Sequence, residues 1–316
     1  MNHMFARRPA LLLLLWPSFA LAQPPDDAYI VTAMHDWKVP GLALAIVKDD
    51  HVLAARGYGI REEGKPGAVD ENTIFAIGSN TKAFTSTALA ILADDKKLQW
   101  DDPVIRHLPS FQLYDPWITR ELTIRDMLSH RSGFSSFQGD LLWDGSAYPR
   151  DEVVRRMRFI KPNGSFRSTY GYSNIMYIAA GELLAAASGT TWDAFIRERL
   201  FGPLGMTRSS TSVSALKDAA NVASPHDELA GKVQPVPYRT VDNGGPAAAI
   251  NSTAKDMAEW IRLQLSEGAY GEKRIVSAVA LRQTQTSQTI IPGVGPAKLF
   301  PSSHFRAYGF GWILQD

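Results

Sequence analysis

The sequence predicts an α/β fold whose sheet takes strands from both ends of the chain, with a helical region inserted between them. Three observations carry this. Gly41 to Val47 (GLALAIV) is an unbroken apolar run, Lys48-Asp49-Asp50 is turn-like, and His51 to Tyr58 returns, which together make a hairpin signature. The middle of the chain is punctuated by helix starts and stops, and the last residues, Ala307 to Leu314, again read as a strand.

The elements follow in order. An amphipathic segment around Ile30 to Trp37 precedes the hairpin, whose first strand is apolar at both parities and so predicts a sheet covered on both faces. Gly78-Ser79 leads into Lys82 to Ala93, nearly free of charge up to Asp94, and a helix apolar all round belongs inside a protein. Thr123 and Asp126 form a capping-box pattern for a second helix, stopped at Gly133. A third runs from Ser173 to about Ala187 and ends at Ser188-Gly189, and a fourth, from Thr191 to Phe201, is closed by Gly202 and Pro203. Ser209 to Asn243 is polar and mixed, and reads as loops with short elements; Ser252 to Leu265 reads as a further amphipathic helix. There is no repeat, low-complexity tract or clean interdomain linker.

Composition excludes some functions. With 33 basic against 32 acidic residues, the chain has no field for nucleic acid or an anionic membrane. The local run Arg155, Arg156 and Arg158 reads as a solvated helix face. The seven histidines show no metal-ligand spacing, so neither a metal nor another cofactor is expected, and His130 reads as a cation at the carbonyl end of a helix. Trp100 and Trp312 read as core or cleft packing. At the N-terminus, Arg7 and Arg8, the apolar stretch from Leu11 and the small residues Ala20-Leu21-Ala22 make a signal-peptide pattern, with cleavage expected before Gln23. Without cysteine there is neither a lipid-modified Cys nor a disulfide. The chain is therefore expected to be periplasmic or secreted, with no stable membrane insertion after cleavage.

Chemistry enters with S-x-x-K. A serine and a lysine three apart on a helix face the same way, so an amine can lie against the hydroxyl. The pattern occurs at Ser79/Lys82, Ser214/Lys217 and Ser252/Lys255, where a chain of this size holds about one by chance. Context separates them. Only Ser79 opens a buried apolar helix, whose amide dipoles favour negative charge on its oxygen. Only Ser79 is followed by a Y-x-N tripeptide, Tyr172-Ser173-Asn174. A phenol there can relay a proton once a neighbouring ammonium such as Lys82 lowers its pKa. Asn174 has the donor and acceptor to hold Lys82 and a substrate amide together. Ser214 then reads as a loop residue and Ser252 as a helix N-cap. A G-x-S-x-G elbow is absent, since Gly171 to Ile175 fails at its last position.

With these residues in place the sequence resembles the class C β-lactamase and DD-peptidase superfamily, which also holds related esterases and aminopeptidases. The resemblance runs through FAIGSNTK (Phe75 to Lys82), WDDP (Trp100 to Pro103), TIRDMLSHRSGF (Thr123 to Phe134), Tyr172 to Asn174, GPLGM (Gly202 to Met206), STAKDM (Ser252 to Met257) and YGFGW (Tyr308 to Trp312). It implies a β-lactamase/transpeptidase-like fold, an antiparallel sheet flanked by helices plus a helical region. It also implies a serine hydrolase in which Ser79 attacks a carbonyl, Lys82 and Tyr172 manage its proton, Asn174 binds substrate, and an acyl-enzyme is released by water. The oxyanion would be held by the Ser79 backbone N–H and an N–H of a sheet strand. The third motif of that family, K-T-G or H-x-G, follows the YGFGW-like segment and is not in this sequence; Lys65-Pro66-Gly67 precedes Ser79 in a turn-like stretch. The organisation expected is a signal peptide over 1–22 and one domain over 23–316, incomplete at its C-terminal end, with the last strand in the sheet of the N-terminal hairpin. The substrate is a small molecule or peptide carrying an amide, peptide, β-lactam or ester bond. A binding or scaffold protein that kept the fold without turnover is the alternative, and an unrelated Ser-His-Asp hydrolase a third reading.

Overall fold

The computed structural model describes residues 26–217, 219–292 and 303–316, so the expected signal peptide lies outside the described residues. Helix α1 (Asp27–Asp36), capped by the Asp26 carboxylate on the Ala28 N–H, leads into an antiparallel hairpin of β1 (Gly41–Lys48) and β2 (His51–Gly59). Its two-residue turn has positive φ at both Asp49 and Asp50, the combination that matches the right-handed twist of the strands. Every residue of β1 is half-buried. The expectation of a strand covered on both faces is therefore not met: the helix Ala254–Leu265 packs against the hairpin, and no third strand joins it among the described residues.

Helix α2 (Thr81–Asp94) is the centre of the core, with Thr81 to Leu92 all buried as its lack of charge predicts. Around it lie the helices Asn174–Ser188, Trp192–Ile196, Gly245–Ala248 and Ala278–Thr284. Phe84 of α2 stacks on Trp260 at 3.7 Å between ring centroids. The Thr85 hydroxyl donates to the Pro246 carbonyl and accepts from the indole N–H of Trp192, so this buried hydroxyl is paired in place. Thr123 and Asp126 make the reciprocal capping box of the short helix Ile124–Leu128. Gly189, with φ of 78°, ends the Asn174–Ser188 helix. Arg155 and Arg156 share Glu152; Arg155 is exposed, while Arg156 and Arg158 are half-buried, so the run is only partly a solvated face. Trp100 packs against Phe310, and both Trp100 and Trp312 sit against the core.

Two elements differ from the sequence reading. After Trp192–Ile196 the chain widens into a π-helical stretch, Arg197–Phe201, and continues through a further turn, Gly202–Leu204. Pro203 lies in the first turn of that segment, where its missing N–H is harmless, and Gly205 in the left-handed region ends it. The Ala307–Leu314 strand is in fact a hairpin of Arg306–Tyr308 and Ile313–Gln315, extended on its other side by Thr289–Ile290. Phe310, fully buried, and Gly311, with φ of 82°, bend the chain between them. The apolar run is spent on a buried bend, and this three-stranded sheet is not hydrogen-bonded to β1–β2.

Candidate active site

The strand β3 (Phe75–Ala76) pairs with Asn251–Ser252 and delivers the chain to a tight turn over Gly78–Asn80, where Gly78 takes φ of 52°. Ile77 and Ile250 are tied by a backbone bond of 3.0 Å, and the Ile250 N–H is held by the Thr81 hydroxyl at 3.1 Å. Ser79 is thereby presented to solvent at the mouth of α2, and Lys82, three residues on, is wholly buried.

The Lys82 amine has three neighbours: Ser79 Oγ at 3.1 Å, Asn174 Oδ1 at 2.7 Å and the Ala247 carbonyl at 3.0 Å. As an ammonium it donates to all three. Burial disfavours the charge and, against the pull of Asp140, pushes its pKa down to about 7. The neutral amine has two N–H donors and one lone pair. Asn174 Oδ1 and Ala247 O can only accept, so they take the two N–H groups and the lone pair falls on the Ser79 hydroxyl, the one neighbour with a proton to give. The arrangement is that of a general base on a nucleophile.

The Tyr172 ring lies 4.7 Å from Lys82 Nζ, and its phenol is near enough to Ser79 for that side chain to act on its pKa. Its pKa moves in the direction opposite to that expected from an adjacent ammonium: burial and the Asp140 charge raise it, and the Ser79 side chain offsets this only in part. Tyr172 is therefore a protonated phenol near neutrality, and the group that titrates near pH 7 is Lys82. Its position is fixed by His130. The backbone carbonyl of His130 accepts from the Gly171 N–H at 2.8 Å, and its Nδ1 accepts from the Ser173 N–H at 3.0 Å. Fully buried, with its pKa well below the usual value through burial and the Lys82 charge, His130 is neutral. That corrects its reading as a cation at a helix end. Nε2 carries the proton and faces no hydrogen-bond acceptor, within a nest of Tyr170, Tyr172, Tyr177 and Tyr308.

Asn174 meets Lys82 as expected, and has a second partner that its sequence context did not announce. Its Oδ1 holds Lys82, and one N–H of its Nδ2 donates to Asp140 Oδ2 at 2.8 Å, which leaves only the second N–H for a substrate amide. Asp140, whose other oxygen accepts from the Trp143 indole N–H at 3.1 Å, is the site residue that sequence reasoning missed. It stands in a loop with no motif around it, and only the fold brings it to Asn174. The other serines fall away. Ser214 donates to Asp242 at 2.6 Å on an exposed turn. Ser252 is a buried strand residue bonded to Ser209, and the N-cap before Lys255 is Thr253 instead. Lys65 is paired with Glu62 in a surface turn.

Residues 27–316 match the Beta-lactamase family. An unguisins hydrolase of Aspergillus campestris is 32% identical over 92% of this chain and 54% of its own length. Penicillin-binding protein 4 of Amycolatopsis lactamdurans is 30% identical over 88% of this chain and 72% of its own. The chain thus spans about half the length of the first of these curated relatives. Among solved structures, an octameric penicillin-binding protein homologue from Pyrococcus abyssi superposes with a TM-score of 0.75 at 25% identity, over 90% of this chain and 63% of its own. A beta-lactamase-like structure from Bacteroides dorei, at 21% identity and a TM-score of 0.68, shares the fold.

Proposed function

Since this chain belongs to the beta-lactamase family, we propose that it is a serine hydrolase that forms an acyl-enzyme on Ser79 and acts on an amide, peptide, β-lactam or ester bond of a small molecule or peptide. The observation that carries this reading is the 3.1 Å contact of the exposed Ser79 hydroxyl with a buried amine poised near pH 7. Neutral Lys82 takes the Ser79 proton as Oγ attacks the carbonyl carbon. The backbone N–H of Ser79, at the start of a helical segment, is one donor for the developing oxyanion. The proton then passes to the leaving group, with the protonated Tyr172 phenol beside Ser79 as the relay. Water releases the acid by the reverse sequence. A base whose pKa sits near the working pH is suited to both halves of this cycle. The related hydrolase and penicillin-binding protein support the substrate class no more narrowly than this.

The test is covalent labelling of the full chain with a fluorophosphonate and with a penicillin, read by mass spectrometry. Label on Ser79, lost in Ser79→Ala, is the expected result. Label on Ser214 or Ser252 with Ser79 clean overturns it. A folded chain that binds a penicillin without acylation would instead be a binding protein.

A further inference from the structure

The direction in which Lys82 points its lone pair depends on which way round the Asn174 amide sits. An amide presents a carbonyl oxygen and an NH2 group of nearly the same shape. Turned the other way, Asn174 would offer an N–H to Lys82. The neutral amine would then spend its lone pair on Asn174 and have none for Ser79. What holds the amide in the productive sense is Asp140, whose Oδ2 lies 2.8 Å from Nδ2 and, as a carboxylate, can only accept. Asp140 is itself held. Gly139, with φ of 89°, starts the tight turn Asp140–Leu142, and the Trp143 indole N–H clamps Oδ1 at 3.1 Å.

We propose that Asp140 is a positioning residue for Lys82: by accepting the Nδ2–H of Asn174 it turns Oδ1 toward the amine and leaves the Ser79 hydroxyl as the partner for the amine's lone pair. This rests on Ser79 being the acylated serine. The order Ser79–Lys82–Asn174–Asp140 repeats the logic of a nucleophile, a base and a third group that orients the base, with an amide inserted as a one-way spacer. Asp140 also acts on Lys82 through space, since its negative charge favours the ammonium. The other titratable groups facing Lys82 are His130, Tyr172 and Tyr177. The first is shifted far below its usual range and the two phenols above theirs, so none changes charge between pH 6 and 9.

The experiment measures the saturating rate of fluorophosphonate labelling at Ser79 from pH 6 to 9 in wild type, in Asp140→Asn, and in the exchange variant Asp140→Asn/Asn174→Asp. A misplaced base typically loses about 10²-fold, and Asp140→Asn is expected to fall by that order at saturation, with its half-saturating probe concentration little changed. Its rising limb moves to lower pH because a negative charge near Lys82 is gone. In the exchange variant a carboxylate faces Lys82 directly and an amide N–H faces it from position 140. Labelling should recover in part, with its rising limb displaced to higher pH. Wild-type rate and limb in Asp140→Asn would overturn the proposal, as would an exchange variant no faster than Asp140→Asn while folded by circular dichroism. Absence of Ser79 label in wild type would instead overturn the assignment of the nucleophile.

Discussion

Replacing Lys82 by Met should change how stability depends on pH more than stability itself. In the unfolded chain the amine titrates near its ordinary 10.5, and in the fold near 7. Between those values the unfolded chain binds more protons than the folded one, so wild-type stability rises with pH across that window. Each pKa unit is worth about 1.4 kcal/mol. Burying the amine therefore costs the fold about 4 kcal/mol at pH 7 and about 2 kcal/mol at pH 9. Methionine fills much of the same space without a charge and has no such slope. At pH 7 the relief is set against Asn174 Oδ1 and Ala247 O, which lose their donor at about 1–3 kcal/mol each, so the two proteins should be nearly matched there. At pH 9 wild type should have gained about 2 kcal/mol over Lys82→Met. Urea unfolding followed by tryptophan fluorescence at both pH values measures this directly. Parallel pH dependence in the two proteins would refute the assignment of a depressed amine, and with it the base role of Lys82.

Tyr172→Phe keeps the ring in its nest against His130 and Tyr308 and removes the phenol oxygen that meets Ser79. Ser79 labelling should slow by about 10²- to 10⁴-fold, the usual contribution of a proton carrier, with probe affinity largely kept; an unchanged rate removes the phenol from the mechanism. Thr123→Ala strips one half of the capping box and should cost about 1 kcal/mol in urea unfolding without altering the labelling rate. Cleavage between Ala22 and Gln23 is the further expectation, and N-terminal sequencing of exported protein checks it; material that retains Met1 in the membrane fraction would count against it.

How much of this could be read from the residues follows from the range of the forces involved. Ser79 with Lys82, the Thr123–Asp126 box and the Gly189 stop are local: each depends on groups within one helical turn, and each stands where its spacing puts it. The Tyr172–Asn174 tripeptide was legible as a motif, but its electrostatics were not. The phenol shift is governed by burial, which spacing does not encode, and so the direction expected for Tyr172 was reversed. Asp140 gave no signal because its contact exists only where a loop meets Asn174. The C-terminal run failed as one strand because alternation cannot register a glycine that turns the chain inward.

That glycine bears on how the site can vary. A side chain at Gly311 would stand 2.7 Å from the backbone N of Ala83 and from the carbonyl carbon of Lys82. The bend thus rests against the peptide that carries the base, while the Ala247 carbonyl grips the amine from the other side. Lys82 is thus approached by backbone at both its ends, at its own peptide and at its amine. By contrast, Phe137, whose ring meets Tyr172, is 62% exposed, and Leu141, next to Asp140, is 87% exposed. Variation at those two side chains can change the surface beside Tyr172 and Asp140 while Lys82 stays in register with Ser79. Variation at position 311 would move the base itself.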